Sequence, residues 1–373
     1  MNPLMARRTR RPVDWVLVAI VGALVTLGLL SLYSASRADD SNHYARQMFW
    51  YLLGTGAAAF IASVDYRLIS RLAYPLMFGG VVLLVVVLVA GTTINGSRRW
   101  LAFGPLSVQP SEFLKLAVVI FTARWFADHE CPEGRGLRDL LAPTLVIMVP
   151  FVLILNQPDL GTALTLWMIF GTVVLFDRVK PWLTVSGIVG AIAAIPLMWV
   201  FVLREYQKDR VRAFLDPQAE LQGDAWQVAQ SRIAVGSGGW TGKGWLQGTQ
   251  VQGGFVPYDE SDFIFSHTGE QFGFIGAVVV VSLYLALALW ALNIARCARD
   301  RFGVLLAVGI AGLLFWHVAV NIAMNIGLLP VVGLWLPFFS RGGTAVLLMM
   351  FCVGILMSIS MRRTMTRDVR WTR

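Results

Sequence analysis

Three acids close a polar stretch immediately before an apolar run, and this is where the chain can do chemistry. The segment reads Phe255-Val256-Pro257-Tyr258-Asp259-Glu260-Ser261-Asp262-Phe263-Ile264-Phe265. A carboxylate placed where a hydrophobic span meets water is costly unless it is paired or functional. A general base needs this kind of position, reachable from water and tuned by its neighbours. Asp259 and Glu260 can raise the pKa of Asp262 by repulsion, or share a divalent cation with it, Mg or Mn by hardness. The bland alternative is that Asp262 caps the helix that follows, where a carboxylate complements the positive dipole end. The residues leave these two readings evenly balanced.

Other polar residues join it as candidates. Arg98 and Arg99, followed by Trp100, suit a phosphate, since guanidinium groups bind oxyanions bidentately. The same trio is also ordinary membrane-interface chemistry. Glu112 and Lys115 are three residues apart where a span begins, which puts them on one helix face as an expected ion pair. Asp159 follows Pro158, the usual chemistry of a helix start, so capping is its favoured role. Arg210, close after Tyr206-Gln207, suits an anionic headgroup but reads equally well as solvated. Several chemistries are excluded: Gly236 to Gly239 and Gly242-Lys243-Gly244 lack phosphate-loop spacing. The four histidines lack zinc spacing, and there is no Gly-x-Ser-x-Gly elbow.

The elements that must position these groups are membrane spans. A mean hydropathy of +0.65 with only 14% charged residues does not describe a soluble domain. Ten mostly apolar runs lie near 15–35, 47–64, 72–90, 111–126, 140–155, 160–176, 183–203, 272–295, 303–326 and 342–360, close to the roughly 17–25 residues a crossing helix needs. With the N-terminus inside, 19 of the 31 Lys and Arg fall on inner segments, so the positive-inside rule puts both termini in the cytoplasm. The net charge of +9 is then a topology signal and an attraction to anionic lipid, not a nucleic-acid surface. The fold class expected is an all-α integral membrane protein, one polytopic domain over 1–373. A long extracytoplasmic loop, about 205–262, lies between spans 7 and 8. Within it, 224–235 reads as an amphipathic helix, with Asp224 as cap and Trp226, Ala229 and Ile233 on one face. Cys131 and Cys297 fall on the inner side and Cys352 in the last span, so no outer disulfide is expected. The first apolar run is too long for a cleavable signal, which suits a bacterial plasma (inner) membrane protein.

Taken in order, these pieces resemble the SEDS family of polytopic cell-wall polymerases over essentially the whole chain. The matching residues are Arg98-Arg99-Trp100, Gln109-Pro110-Ser111-Glu112 with Lys115, and Gln157-Pro158-Asp159-Leu160-Gly161. They continue through Tyr206-Gln207 with Arg210, Asp216-Pro217, Gln230-Ser231, Gly236 to Gly239 and Gly242-Lys243-Gly244. The last are Asp262-Phe263-Ile264-Phe265, Glu270, and Gly327 through Pro337 to Gly342-Gly343. The string Gly242 to Gln250 and the ending Met357-Ser358-Ile359-Ser360 are of the type found in the elongation members. The resemblance implies a ten-span fold and peptidoglycan glycosyltransferase activity on lipid II during cell elongation. It also implies a complex with a class B penicillin-binding protein, carries the essential acid over to Asp262, and adds Gln207 and Gln230 to the substrate-binding candidates. Tyr258, Asp259, Gln271, Trp335 and Arg341 depart from the family pattern at the cavity rim.

The expected reaction is an inverting transfer from a polyprenyl-diphosphate sugar. Asp262 acts as base or cation ligand, and Arg98, Arg99, Lys115 and Arg210 face the diphosphate. A flippase would line a path through the membrane, whereas these polar residues gather on the outer side. A non-catalytic scaffold would have no need of the acid at the span end. A division-type member of the same family is the nearer alternative.

Overall fold

The computed structural model describes residues 13–38, 42–94, 97–103, 106–215, 224–253 and 260–362. Its helices are α1 (Trp15–Ala38), α2 (His43–Ser63), α3 (Tyr66–Arg71), α4 (Ala73–Ala90), α5 (Pro110–Asp128), α6 (Leu137–Asn156) and α7 (Leu160–Phe176). Then follow α8 (Pro181–Leu197), α9 (Glu205–Leu215), α10 (Asp224–Ser237), α11 (Thr249–Gln252), α12 (Ile264–Arg296), α13 (Arg301–Asn325) and α14 (Gly343–Met361).

Every apolar run expected from the sequence is helical. Among the described residues, seven helices are long and apolar enough to cross a membrane: α1, α4, α6, α8 with the π-helical turn Met198–Val202 that extends it, α12, α13 and α14. α7 is apolar but has only 17 residues. α2 opens on His43-Tyr44-Ala45-Arg46-Gln47, and α5 carries Glu112, Lys115, Arg124 and Asp128. These two helices are less apolar because they bring polar groups to their ends.

α13 and α14 form the centre, buried over most of their length, with α13 against α12, α5 and α7 and α14 against α2. The lipid-like exterior is most evident on α8, where no residue of the crossing window is buried. At one end of the helices, the fully buried Arg135 and the half-buried Arg301 both reach the Asp177 carboxylate at 2.5 Å, tying together the connections around α5, α7 and α13. The cleft described below lies at the other end.

Two connections carry structure of their own. The connection from Gly91 to Pro110 contains an antiparallel sheet of β1 (Thr92–Ile94), β2 (Ser97–Phe103) and β3 (Leu106–Val108) in that order. The β-branched and aromatic residues of this stretch, Thr92, Thr93, Ile94, Trp100 and Phe103, favour a pleated surface. The polar stretch from 205 is not one loop, since α9, α10 and α11 lie in it. α10 forms where expected, but it turns the opposite face inward. Trp226 and Ile233 are exposed, while Gln230, Ser231 and Ala234 are buried. Small side chains allow close approach to α12, and the Ser231 hydroxyl donates to the Asn325 carbonyl at 2.8 Å. The side chain of Asp224, expected as its cap, lies outside the described residues.

Candidate active site

A cleft of about 760 Å³ opens among the α6–α7 turn, β2, α9, the segment before α12 and the segment before α14. Asp262 lines it, together with Arg99, Arg204, Arg210, Asp159 and Glu112. Its position is set by α13. The Asp262 carbonyl accepts from the side-chain amides of Asn321 and Asn325, each at 2.9 Å. The Asn325 carbonyl oxygen Oδ1 in turn accepts the Ser266 backbone N–H at 3.1 Å. The first turn of α12 is therefore capped by a residue of α13. Phe263 holds the N-cap position and makes no side-chain cap, so the capping role considered for Asp262 is not what its carboxylate does. That carboxylate is half-buried and faces the cleft.

Burial pushes the Asp262 carboxyl up to about 6. Arg210 pulls it down, Asp159 pushes it up, and the Ser261 hydrogen bond and Arg99 pull it down. The outcome is a carboxylate ionised at neutral pH yet basic enough to take a proton, as general-base chemistry requires.

The period of two in a strand separates Arg98 from Arg99. Arg98 is exposed and lines no part of the cleft, so the expected cationic pair is split. Arg99 turns inward. Its Nε donates to the Gln157 carbonyl at 2.8 Å, Nη2 donates to the Pro158 carbonyl, and Nη1 lies 3.7 Å from Asp159. Trp100 lines the cleft beside it. Asp159 caps α7 as expected, accepting the Thr162 N–H at 3.2 Å, but its carboxylate also meets Gln109 and Arg99. A side chain at Gly161 would come within 2.3 Å of the Val332 carbonyl, so glycine there lets α7 abut the segment that floors the cleft.

Glu112 and Lys115 pair as their spacing predicts, with the lysine Nζ at 2.9 and 3.0 Å from the two carboxylate oxygens. Lys115 is fully buried behind Glu112 and does not line the cleft. Its ammonium donates to His317 Nε2 at 3.1 Å, which leaves the proton of that neutral ring on Nδ1, 3.3 Å from the Trp335 carbonyl. The Trp335 indole donates to Glu112 at 3.1 Å, so a second hydrogen bond fixes the one member of the pair that faces the cleft. Gln207 lines the cleft with its Oε1 accepting the Arg204 N–H at 3.0 Å, and Arg210 donates to the Val331 carbonyl at 3.4 Å. Gln230 is buried on α10 and does not line the cleft; Gln227, one turn earlier, does.

Of the three acids expected together, the structure describes Glu260 and Asp262. Among the described residues no three His, Cys, Asp or Glu side chains gather as a metal site. Glu260 is drawn instead to Arg341 at 2.7 Å and His43 at 3.3 Å. Asp259 and Tyr258 lie outside the described residues.

Sequence reasoning missed Arg204, His317, Asn321 and Asn325. The last three had a signal, since they recur every fourth residue through an otherwise apolar helix and so form one polar stripe on α13. Intramembrane polar stripes face a bundle interior or a cavity.

A polar, arginine-rich cleft at the ends of packed apolar helices defines a multi-span all-α membrane protein with its site at the helix termini. A family model described as cell cycle protein, covering the FtsW, RodA and SpoVE proteins, matches residues 14–365. The chain is 37% identical over 353 residues to the peptidoglycan glycosyltransferase MrdB of Escherichia coli K12, covering 94% of each. Its fold is similar to a chain of a peptidoglycan synthase complex, with a TM-score of 0.80 and 31% identity over 93% of this chain and 97% of that one. It is also similar to the rod shape determining protein RodA of Thermus thermophilus, with a TM-score of 0.68 and 28% identity over 94% and 96%. The chain belongs to the FtsW/RodA/SpoVE family.

Proposed function

We propose that the cleft polymerises lipid II into glycan strands, as a peptidoglycan glycosyltransferase of the elongation type. One observation carries this reading: Asp262 presents a half-buried carboxylate, raised to about 6, into a cleft where arginines converge. In the reaction the acceptor hydroxyl oxygen attacks the anomeric carbon of the donor. Its proton passes to the Asp262 carboxylate, and the bond to the diphosphate breaks with the electron pair leaving on that group. A single displacement inverts the α-linked donor to a β-1,4 product. Arg99, Arg204 and Arg210 meet the charge that develops on the diphosphate, where a partly desolvated site strengthens each contact. Glu112, fixed by Lys115 and Trp335, orients sugar hydroxyls. The apolar outer faces of the spans accommodate the polyprenyl tail.

Of the acids considered for a divalent cation such as Mg or Mn, Glu260 is engaged by Arg341 and His43, so the arginines supply the charge neutralisation in this reading. No step here runs through a divalent cation. The reading places ten crossings, both termini in the cytoplasm and the cleft at the outer leaflet, in keeping with the Lys and Arg distribution. The similarity to a chain of a peptidoglycan synthase complex supports a penicillin-binding transpeptidase of class B as partner.

The test is polymerisation of lipid II by the purified protein with its cognate partner. Native protein should form long glycan strands, and Asp262→Ala should form none while still binding the partner. Near-native polymerisation by Asp262→Ala would remove the base assignment.

A further inference from the structure

Arg341 lines the same cleft, but at its rim, away from the groups that tune Asp262: Arg210 and Arg99 act on that carboxylate and Arg341 does not. Three connections meet at this residue. Its backbone N–H donates to the Glu260 carbonyl at 2.7 Å. Its Nη1 donates to the Glu260 carboxylate at 2.7 Å and to His43 Nε2, at the start of α2, at 2.8 Å. Among the described residues, one nitrogen of the guanidinium thus carries all its side-chain contacts. Nε and Nη2 have no acceptor among the described residues, and the side chain remains 40% exposed.

That arrangement is unusual for a purely structural arginine. The Nε and Nη2 hydrogens point in parallel and form the edge that binds a carboxylate or phosphate with two hydrogen bonds. The clip through Nη1 immobilises the guanidinium, so little side-chain freedom is lost when a ligand binds. Glu260 also supplies a negative charge at Nη1, which holds the cation in place without occupying the edge formed by Nε and Nη2.

We infer that Arg341 is a substrate-binding residue that grips a second oxyanion at the rim of the cleft, apart from the diphosphate leaving beside Asp262. This rests on the proposed polymerase reading, in which two lipid-linked substrates occupy the cleft together. The oxyanion comes from one of two places on the second substrate: its own diphosphate or a carboxylate of its stem peptide. Both offer paired oxygens at the spacing of the fork.

The experiment measures steady-state polymerisation by Arg341→Gln in the complex with its partner. It uses lipid II with an intact stem peptide and lipid II stripped to the disaccharide. KM for the intact substrate should rise roughly ten-fold or more, the size expected for losing a bidentate charge-assisted contact, with kcat within about two-fold of native. If the rise persists on the stripped substrate, the diphosphate is the ligand; if it vanishes, the stem carboxylate is. Either result supports the inference. An unchanged KM on both substrates overturns it, and so does a fall in kcat alone, which would make Arg341 a positioning residue.

Glu260→Gln provides the control for a structural clip. If Arg341 only ties three connections together, both variants should lower thermal stability alike and leave KM unmoved. Should Arg341→Gln fail to fold, Arg341→Lys keeps a cation for Glu260 and lacks the second edge, so the same KM rise is expected of it. Absence of polymerisation by native protein would instead count against the polymerase reading, and direct binding of fluorescent lipid II to native protein and Arg341→Gln would then decide the role of Arg341 separately.

Discussion

Asp262→Asn should make the protein more stable at neutral pH while removing its activity. The Asp262 carboxyl rises from its ordinary 3.8 to about 6, with burial as the largest cause. The protonated form is therefore the one favoured by the fold, and the native state holds an extra proton between those two values. Wild-type stability falls as pH rises through that window, and the penalty is complete above about 6. The rise corresponds to about 3 kcal/mol, at ~1.4 kcal/mol per tenfold. Partial access to solvent reduces this to about 2 kcal/mol. Asparagine is nearly isosteric and does not ionise, so it escapes the penalty. Thermal unfolding in detergent should show Asp262→Asn melting roughly a few °C above native at about pH 7.5, with the difference closing near about pH 4. A gain of equal size at both pH values, or a loss at neutral pH, would refute the account of a carboxylate held against its solvation.

Three further outcomes follow from the same geometry. Arg210→Gln removes the largest influence that lowers the Asp262 pKa, so the acid limb of the pH–rate profile should move to higher pH; an unmoved limb would separate the two residues. Lys115→Ala alone should lower folded yield more than Lys115→Ala combined with Glu112→Gln, because breaking a buried pair leaves a charge worth about 3–5 kcal/mol uncompensated. Equal yields with normal turnover would show that the pair is dispensable. A cysteine at about residue 225 should react with an impermeant thiol reagent in spheroplasts and one at about residue 133 should not; the opposite pattern would invert the topology.

The apolar runs were readable because a membrane helix needs length and little else, and all of them are helical here. The Glu112–Lys115 pair was readable because spacing on a helix fixes proximity. What sequence could not show was how separate elements meet. Arg98 and Arg99 look equivalent in a row and become opposite once their segment is a strand. The face of α10 was read from hydrophobicity, but against α12 the small and polar Gln230, Ser231 and Ala234 are buried and allow close packing. Asp159 looked like a plain cap, and its second role depends on Arg99, far away in sequence and 3.7 Å away in space. Asp262 was found from its place at the end of the polar stretch, but the reason its carboxylate is spared from capping lies on α13.

That borrowed cap has consequences for how the sequence can drift. A helix capped by its own chain can tolerate changes in its neighbours, because the start of the helix and the residue that closes it move together. Here the start of α12 and the carbonyl of Asp262 both depend on Asn325. A substitution at that one asparagine, buried and outside the lining of the cleft, would disturb the helix start and the base in a single step. Repair would require a new donor and a new acceptor at once. The Asp262 carbonyl and the Ser266 N–H are backbone groups that almost any residue supplies, so the constraint falls on the side chains of Asn321 and Asn325.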